Sequence, residues 1–265
     1  FQEVLQYAVE VHYTGDRPAE RVADLLNRFY FEGKYPTKAA QYVSFSKKSY
    51  TEPTVFFLNR KDAIQSQIYF YKESEAYQRD RIWLLDAFNE YFGSGMSSLV
   101  FQEIREFRSL AYTARARIYT PDLPNQNNAL IGYIGCQADK TKEALAVMTG
   151  LLRDMPAKPE RIDGIRAAVT QTAYSSRPGF RDLSTTMVGW KHMGYTEDPA
   201  KARAAQFEKL NWQAMQHYYE SAIGKGDAGK PLVIVITGDK NRIDMDDLKK
   251  YGKLIEVKQS EVMVK

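Results

Sequence analysis

Cysteine is nearly missing from this 265-residue sequence, and the one copy, Cys136, rules out any disulfide within the chain. It sits in the apolar stretch 131–136, where a small buried thiol is the ordinary expectation, and it leaves the compartment open, with the bacterial periplasm slightly favoured over the cytoplasm. Long apolar runs are also lacking, and none approaches the ~20 residues that a membrane-spanning helix needs. No run of five or more like charges occurs. With 37 basic and 33 acidic residues the net charge is +4, too small and too dispersed to be the footprint of a nucleic-acid-binding protein.

Histidine is as scarce. His12, His192 and His217 are the three copies, and none has a second histidine four residues away, so the paired imidazoles of a helical zinc site are lacking. The nearest approach, His217-Tyr-Tyr-Glu220-Ser221, puts a hydroxyl, a poor zinc ligand, where the second histidine would stand. The same shortage leaves a serine or cysteine nucleophile without a base, which argues against a self-contained hydrolase. The chain opens on Phe1 with neither Met nor a signal-like apolar core, which points to a piece of a longer polypeptide.

What the sequence does have is 44% hydrophobic and 13% aromatic residues, enough for a sizeable core. Residues 7–13 alternate as a strand and end at Thr14-Gly15-Asp16. Pro18 then opens a helix with Val22, Leu25, Leu26 and Phe29 on one face, closed by Gly33 and Pro36. The order returns at 232–236, an apolar strand followed by Thr237-Gly238-Asp239 and a helix from Asp244. The unpatterned stretch 35–53 marks a linker, so the expected organisation is an end of a preceding α/β domain (1–34), a linker (35–53) and a main domain (54–265).

In the main domain, 65–71 reads as a strand and 77–92 as a helix stopped by Gly93-Ser-Gly95. That turn lacks the Lys-Ser/Thr of a phosphate loop and follows a helix, so it reads as an interhelical turn. A second helix carries Leu99, Val100, Ile104 and Phe107, after which Tyr112, Ala114, Ala116 and Ile118 share one face of a strand. A strand at 129–137 and helices at 139–155, 160–176, 183–193 and 212–223 complete an α+β order.

The helix from Leu85, the Gly93-Ser-Gly95 turn, Ser97-Ser98, the Arg105-Glu106 pair and the ending Leu110-Ala-Tyr112 together resemble the C-terminal domain signature of the pitrilysin/insulinase family of zinc peptidases, the inverzincins. The resemblance covers about 54–239. It implies a mixed, largely antiparallel sheet with long helices mainly on one face, as in mitochondrial processing peptidase, the other face being partly apolar or unusually wet and awaiting a missing domain. Active members carry zinc in an N-terminal domain, on an H-x-x-E-H motif with a further Glu, and nothing here matches those ligands.

The implied role is therefore a non-catalytic, substrate-binding and chamber-forming part of a zinc peptidase. Zinc, the only cofactor implied, belongs to a missing N-terminal half or subunit, the partner of this chain, and the substrate is a peptide. Two family residues that reach the bound peptide fall on Arg105 and Tyr112, a charged fork and a directional donor. A reversal at Ser109-Leu110 would bring them to one side. Arg105 equally suits a local ion pair with Glu103 or Glu106, and Tyr112 is one of 18 tyrosines. The alternative role is a degenerate, purely structural partner subunit.

Overall fold

In the computed structural model of the chain, which describes residues 3, 6–31, 34, 36–39, 48–225 and 229–262, the β-branched and aromatic runs assemble one six-stranded sheet. Its strands are β1 (Thr54–Asn59), β2 (Gln65–Ala76), β3 (Ala111–Tyr119), β4 (Asn127–Gln137), β5 (Leu232–Gly238) and β6 (Lys253–Val257). Their spatial order is β3-β4-β2-β5-β1-β6. The pairs β3/β4, β4/β2 and β2/β5 are antiparallel, whereas β1 runs parallel to β5 and to β6. The sheet is thus mixed and largely antiparallel, as the resemblance implies.

The principal helices are α1 (Ala19–Leu26), α2 (Ile82–Phe92), α3 (Thr141–Arg153), α4 (Ile162–Ser175), α5 (Leu183–His192), α6 (Pro199–Phe207) and α7 (Trp212–Ala222). The chain forms two compact units: Phe1–Lys48 with Ser176–Glu197, which holds α1 and α5, and Ser49–Ser175 with Asp198–Lys265, which holds the sheet and the other five. Among the described residues no helix is long and apolar enough to cross a membrane.

One face of the sheet carries the core. Strand register aligns Val55, Ile234, Phe70, Gly132 and Ala116 in one row and Phe57, Ile236, Ile68 and Ile134 in the next. These meet Phe88 and Phe92 of α2, Leu145 and Met148 of α3 and Met215 and Tyr218 of α7, all fully buried. Phe88 stacks on Phe92 with ring centroids 5.1 Å apart. Each large apolar side chain so buried contributes roughly 1.5–3 kcal/mol. Polar pins fix the helices to the sheet: Asn89 of α2 donates to the Ile118 carbonyl (2.9 Å) and accepts from its N–H (2.7 Å), and Ser74 of β2 donates to the Ala222 carbonyl (2.7 Å).

The structure departs from the sequence reading at the amino end. Residues 7–13 form no strand beyond a bridge between Tyr7 and Lys38, and Val9, Val11 and Tyr13 are exposed. Alternation marks a strand only where a sheet is at hand to pair with it. Gly33 and part of the linker, 35 and 40–47, lie outside the described residues. The first Thr-Gly-Asp also differs from the second, in which Asp239 is buried and accepts from the N–H groups of Asn241 (2.9 Å) and Asp62 (3.2 Å).

Where α7 crosses β2, a half-buried acid is incompletely satisfied. Glu75 pairs with Arg81 at 3.0 Å, with its side chain 10% exposed, and Arg81 donates to Ser221 at 2.6 Å. Glu75 Oε1 and the nearby Tyr218 hydroxyl have no hydrogen-bond partner among the described residues. Burial pushes the Glu75 carboxyl above its ordinary value, against the opposing pull of Arg81, and pushes the Tyr218 phenol up as well. An acid with a raised folded pKa contributes stability that is present below its unfolded pKa and is lost as pH rises through the folded pKa. Glu75→Gln removes that loss. The difference in Tm between variant and wild type is therefore expected to grow as pH rises from about 4.5 to 7, and thermal melts across that range that differ by a constant amount would contradict it.

Candidate functional site

The face of the sheet away from the helices is open over β3, β4, β2 and β5. Its central row runs Arg115, Tyr133, Tyr69, Val235 and Phe56, and the adjacent row runs Arg117, Ile131, Tyr71, Val233 and Thr54. Tyr69, Ile131 and Val235 are exposed, whereas Val233 and Thr54 are buried, so the face closes toward β1. Tyr69 and Tyr133 are in ring contact at 4.9 Å, and the Arg115 guanidinium lies 5.4 Å from the Tyr133 ring. Exposed apolar and aromatic groups in contiguous rows are the mark of a surface that is covered in use.

Arg105 and Tyr112 stand at the start of the edge strand β3. The helix after the Gly93-Ser-Gly95 turn widens into π geometry over Phe101–Glu106, with the Phe107 N–H donating to the Gln102 carbonyl at 2.9 Å. It is ended by Ser109 at φ 49°, in the left-handed region, while the Leu110 N–H reaches back to the Ile104 carbonyl at 2.9 Å. The reversal expected at Ser109-Leu110 is thus where the chain turns.

The strand that follows does not alternate as expected. Ala111 lies opposite Cys136 and Thr113 opposite Gly135, so Tyr112 is the extra residue of a bulge. Strict alternation would put Tyr112 on the buried side with Ala116 and Ile118, but the bulge turns it out, 83% exposed. The Arg105 guanidinium lies 5.0 Å from the Tyr112 ring and 4.8 Å from the Phe101 ring. Its Nε is 3.5 Å from Glu106, with the arginine side chain 39% exposed. Glu103, the other acid within reach in sequence, pairs with Arg108 and Lys158 instead. Charged fork and phenol are therefore side by side at the surface.

The histidines are scattered. His217 is exposed on α7, and the neighbouring Glu220 accepts from Gln216 at 3.2 Å. His12 lies 3.5 Å from Glu10. Among the described residues no three His, Cys, Asp or Glu side chains gather as a metal would need, so the residues present do not fit zinc. Cys136 is buried, and burial pushes its thiol up to about 11, which keeps it protonated and unreactive.

The open face itself is not legible in the sequence. Tyr69, Tyr133, Arg115 and Val235 become neighbours only through the register of four strands, and the outward positions of each strand are the one local signal.

The profile of a family described as the peptidase M16 inactive domain matches residues 8–168, more than half of the chain. Over 122 residues the chain is 28% identical to an uncharacterised zinc protease of Mycobacterium leprae, the match covering 46% of this chain and 26% of that protein. The fold superposes on the crystal structure of a peptidase M16 inactive domain from Pseudomonas fluorescens with a TM-score of 0.62 at 13% identity, over 85% of this chain and 52% of that one. It also superposes on the ferredoxin protease FusC, solved in complex with Arabidopsis ferredoxin, with a TM-score of 0.55 at 12% identity, over 85% of this chain and 24% of that one. At these identities the structural likeness speaks to the fold alone.

Proposed function

The chain belongs to the family of peptidase M16 inactive domains, and from that premise we propose that it is the substrate-holding, chamber-forming part of a zinc peptidase whose metal lies in another half. The observation that carries this reading is the exposed Arg105–Tyr112 pair at the rim of an open, aromatic sheet face. Residues 1–34 are, on the same reading, the end of a preceding domain. The exposure of Leu25, Phe29 and Tyr30 around α1 is in keeping with that. The neighbour solved with ferredoxin lends support, since a protein of this fold there forms a complex with a polypeptide.

The zinc of the other half would supply the polarised water that attacks the peptide. The residues of this chain act on the peptide itself. Arg105 presents parallel N–H donors to a backbone carbonyl, which orders the extended substrate before reaction. The Tyr112 hydroxyl is a single directional donor. It gains most when the carbonyl oxygen takes up negative charge, so its contribution falls on the transition state.

Purified alone, the chain is expected to retain no stoichiometric zinc after dialysis and to hydrolyse no peptide. Supplied with the zinc-bearing half, on the same polypeptide or as a second subunit, it is expected to raise peptide turnover above that of the zinc half alone. A stoichiometric zinc lost on His217→Ala, or a zinc half fully active without this chain, would overturn the assignment.

A further inference from the structure

We propose that Arg115 and Arg117 select peptide segments carrying acidic side chains at alternate positions. The inference deepens the substrate-holding reading above and rests on it. Both arginines are exposed on the open side of the edge strand β3, two residues apart. In the three registered rows that make up the centre of the open face there are two cations and no acid. The rows are Arg117, Ile131, Tyr71, Val233 and Thr54, then Arg115, Tyr133, Tyr69, Val235 and Phe56, then Thr113, Gly135, Gln67, Thr237 and Leu58.

Several other arginines of the same unit have carboxylate partners: Arg81 with Glu75, Arg166 with Asp163 and Arg203 with Asp86. Arg115 and Arg117 have rings instead, Tyr133 at 5.4 Å and Tyr119 at 5.7 Å. Arg117 also acts on Asp86 through its charge, but Arg203 already holds that carboxylate at 3.0 Å. In the next row Glu73 is engaged by the Asn127 side chain. An aromatic ring under a guanidinium holds it flat and leaves its N–H edge directed outward, ready for a carboxylate.

Spacing sets the occupant. Residues two apart on a strand are roughly 6.6–6.8 Å apart, the repeat of alternate side chains in any extended chain. An extended peptide with Glu at alternate positions therefore matches both arginines at once, with its backbone over Tyr69 and Tyr133. A basic row with aromatics is also a footprint of single-stranded nucleic acid. The net charge of +4 over 265 residues and the peptidase family favour the peptide.

The test is fluorescence anisotropy of the full chain with a fluorescein-labelled ten-residue peptide bearing Glu at alternate positions and with its Gln counterpart. The acidic peptide is expected to bind about tenfold more tightly at low salt, a preference that shrinks as ionic strength rises. Arg115→Gln with Arg117→Gln should bring the two affinities together, and the double Lys variant should keep part of the preference. Equal binding of both peptides by wild type overturns this inference and leaves the substrate-holding reading intact. Binding of neither at millimolar concentration overturns both. Displacement of the acidic peptide by an equal concentration of a ten-residue oligothymidylate would overturn it in favour of nucleic acid.

Discussion

In the complete peptidase, Tyr112→Phe is expected to lower kcat about a hundredfold or more while moving KM little. The substitution removes one oxygen from a side chain that is 83% exposed, so it disturbs no core contact and leaves the ring against Arg105 in place. What is lost is a donor that matters most once the carbonyl oxygen becomes an oxyanion, and such a loss appears in kcat. Arg105→Ala is expected to act on both constants, since a guanidinium holds the ground-state carbonyl too, and its removal also takes the cation from between the Phe101 and Tyr112 rings. Arg105→Lys should recover only part of the loss, because an ammonium keeps the charge without the planar fork. Tyr174→Phe, at an exposed tyrosine on α4, is the control. Wild-type kcat for Tyr112→Phe and Arg105→Ala combined would reduce the pair to a packing feature. The 3.5 Å contact of Arg105 with Glu106 would then be its main role, and the structural-partner reading would stand.

The contrast between what is legible in the sequence and what is not follows the range of each interaction. Helix α2, the turn at Gly93 and the reversal at Ser109 are local events, written in a 3.6-residue apolar stripe and in turn residues, and they lie where the sequence puts them. Strands β1 and β6 leave no such mark. Thr54–Asn59 is a short apolar run with no alternation, the pattern of a strand whose parallel neighbours stand on both sides. Helix α6 escapes the pattern despite Asp198 capping Ala200 at 2.9 Å and Pro199 at its first position, because its residues carry no strong apolar stripe. In the opposite sense, the alternation at 7–13 reads as a strand although no strand among the described residues pairs with it.

The site divides in the same way. Arg105 and Tyr112 are identified by resemblance and brought to one side by a turn the sequence marks. The bulge that exposes Tyr112 has no local signal, because it arises from the pairing of β3 with β4. Strict period-two counting gives the wrong face for that one residue, and it is the residue on which the proposed chemistry depends.

Gly93→Ala is expected to destabilise the fold by about 3 kcal/mol or more, at or beyond the upper end of overpacking costs. A Cβ at this position would lie 1.8 Å from the Ala116 carbonyl oxygen and 2.8 Å from the Ala116 nitrogen, so the obstacle is strand backbone that has no rotamer to change. Neither side can yield cheaply. Helix α2 is tied to β3 through both hydrogen bonds between Asn89 and Ile118, and Phe88 and Phe92 of the same helix are fully buried in the core. Moving β3 away would break the Asn89 pair, and each buried polar group so stranded costs roughly 1–3 kcal/mol. It would also carry the bulge and Tyr112 with it, so any folded fraction should have lost activity beyond its population. Gly150 and Gly164 are the internal comparison: they sit within α3 and α4, where an added methyl group would meet nothing within 4 Å, and Ala there should be neutral or stabilise by up to about 1 kcal/mol. Urea unfolding of the three variants is the measurement. Equal midpoints for Gly93→Ala and Gly150→Ala would mean that α2 and β3 do not approach as closely as the backbone contact at Ala116 requires.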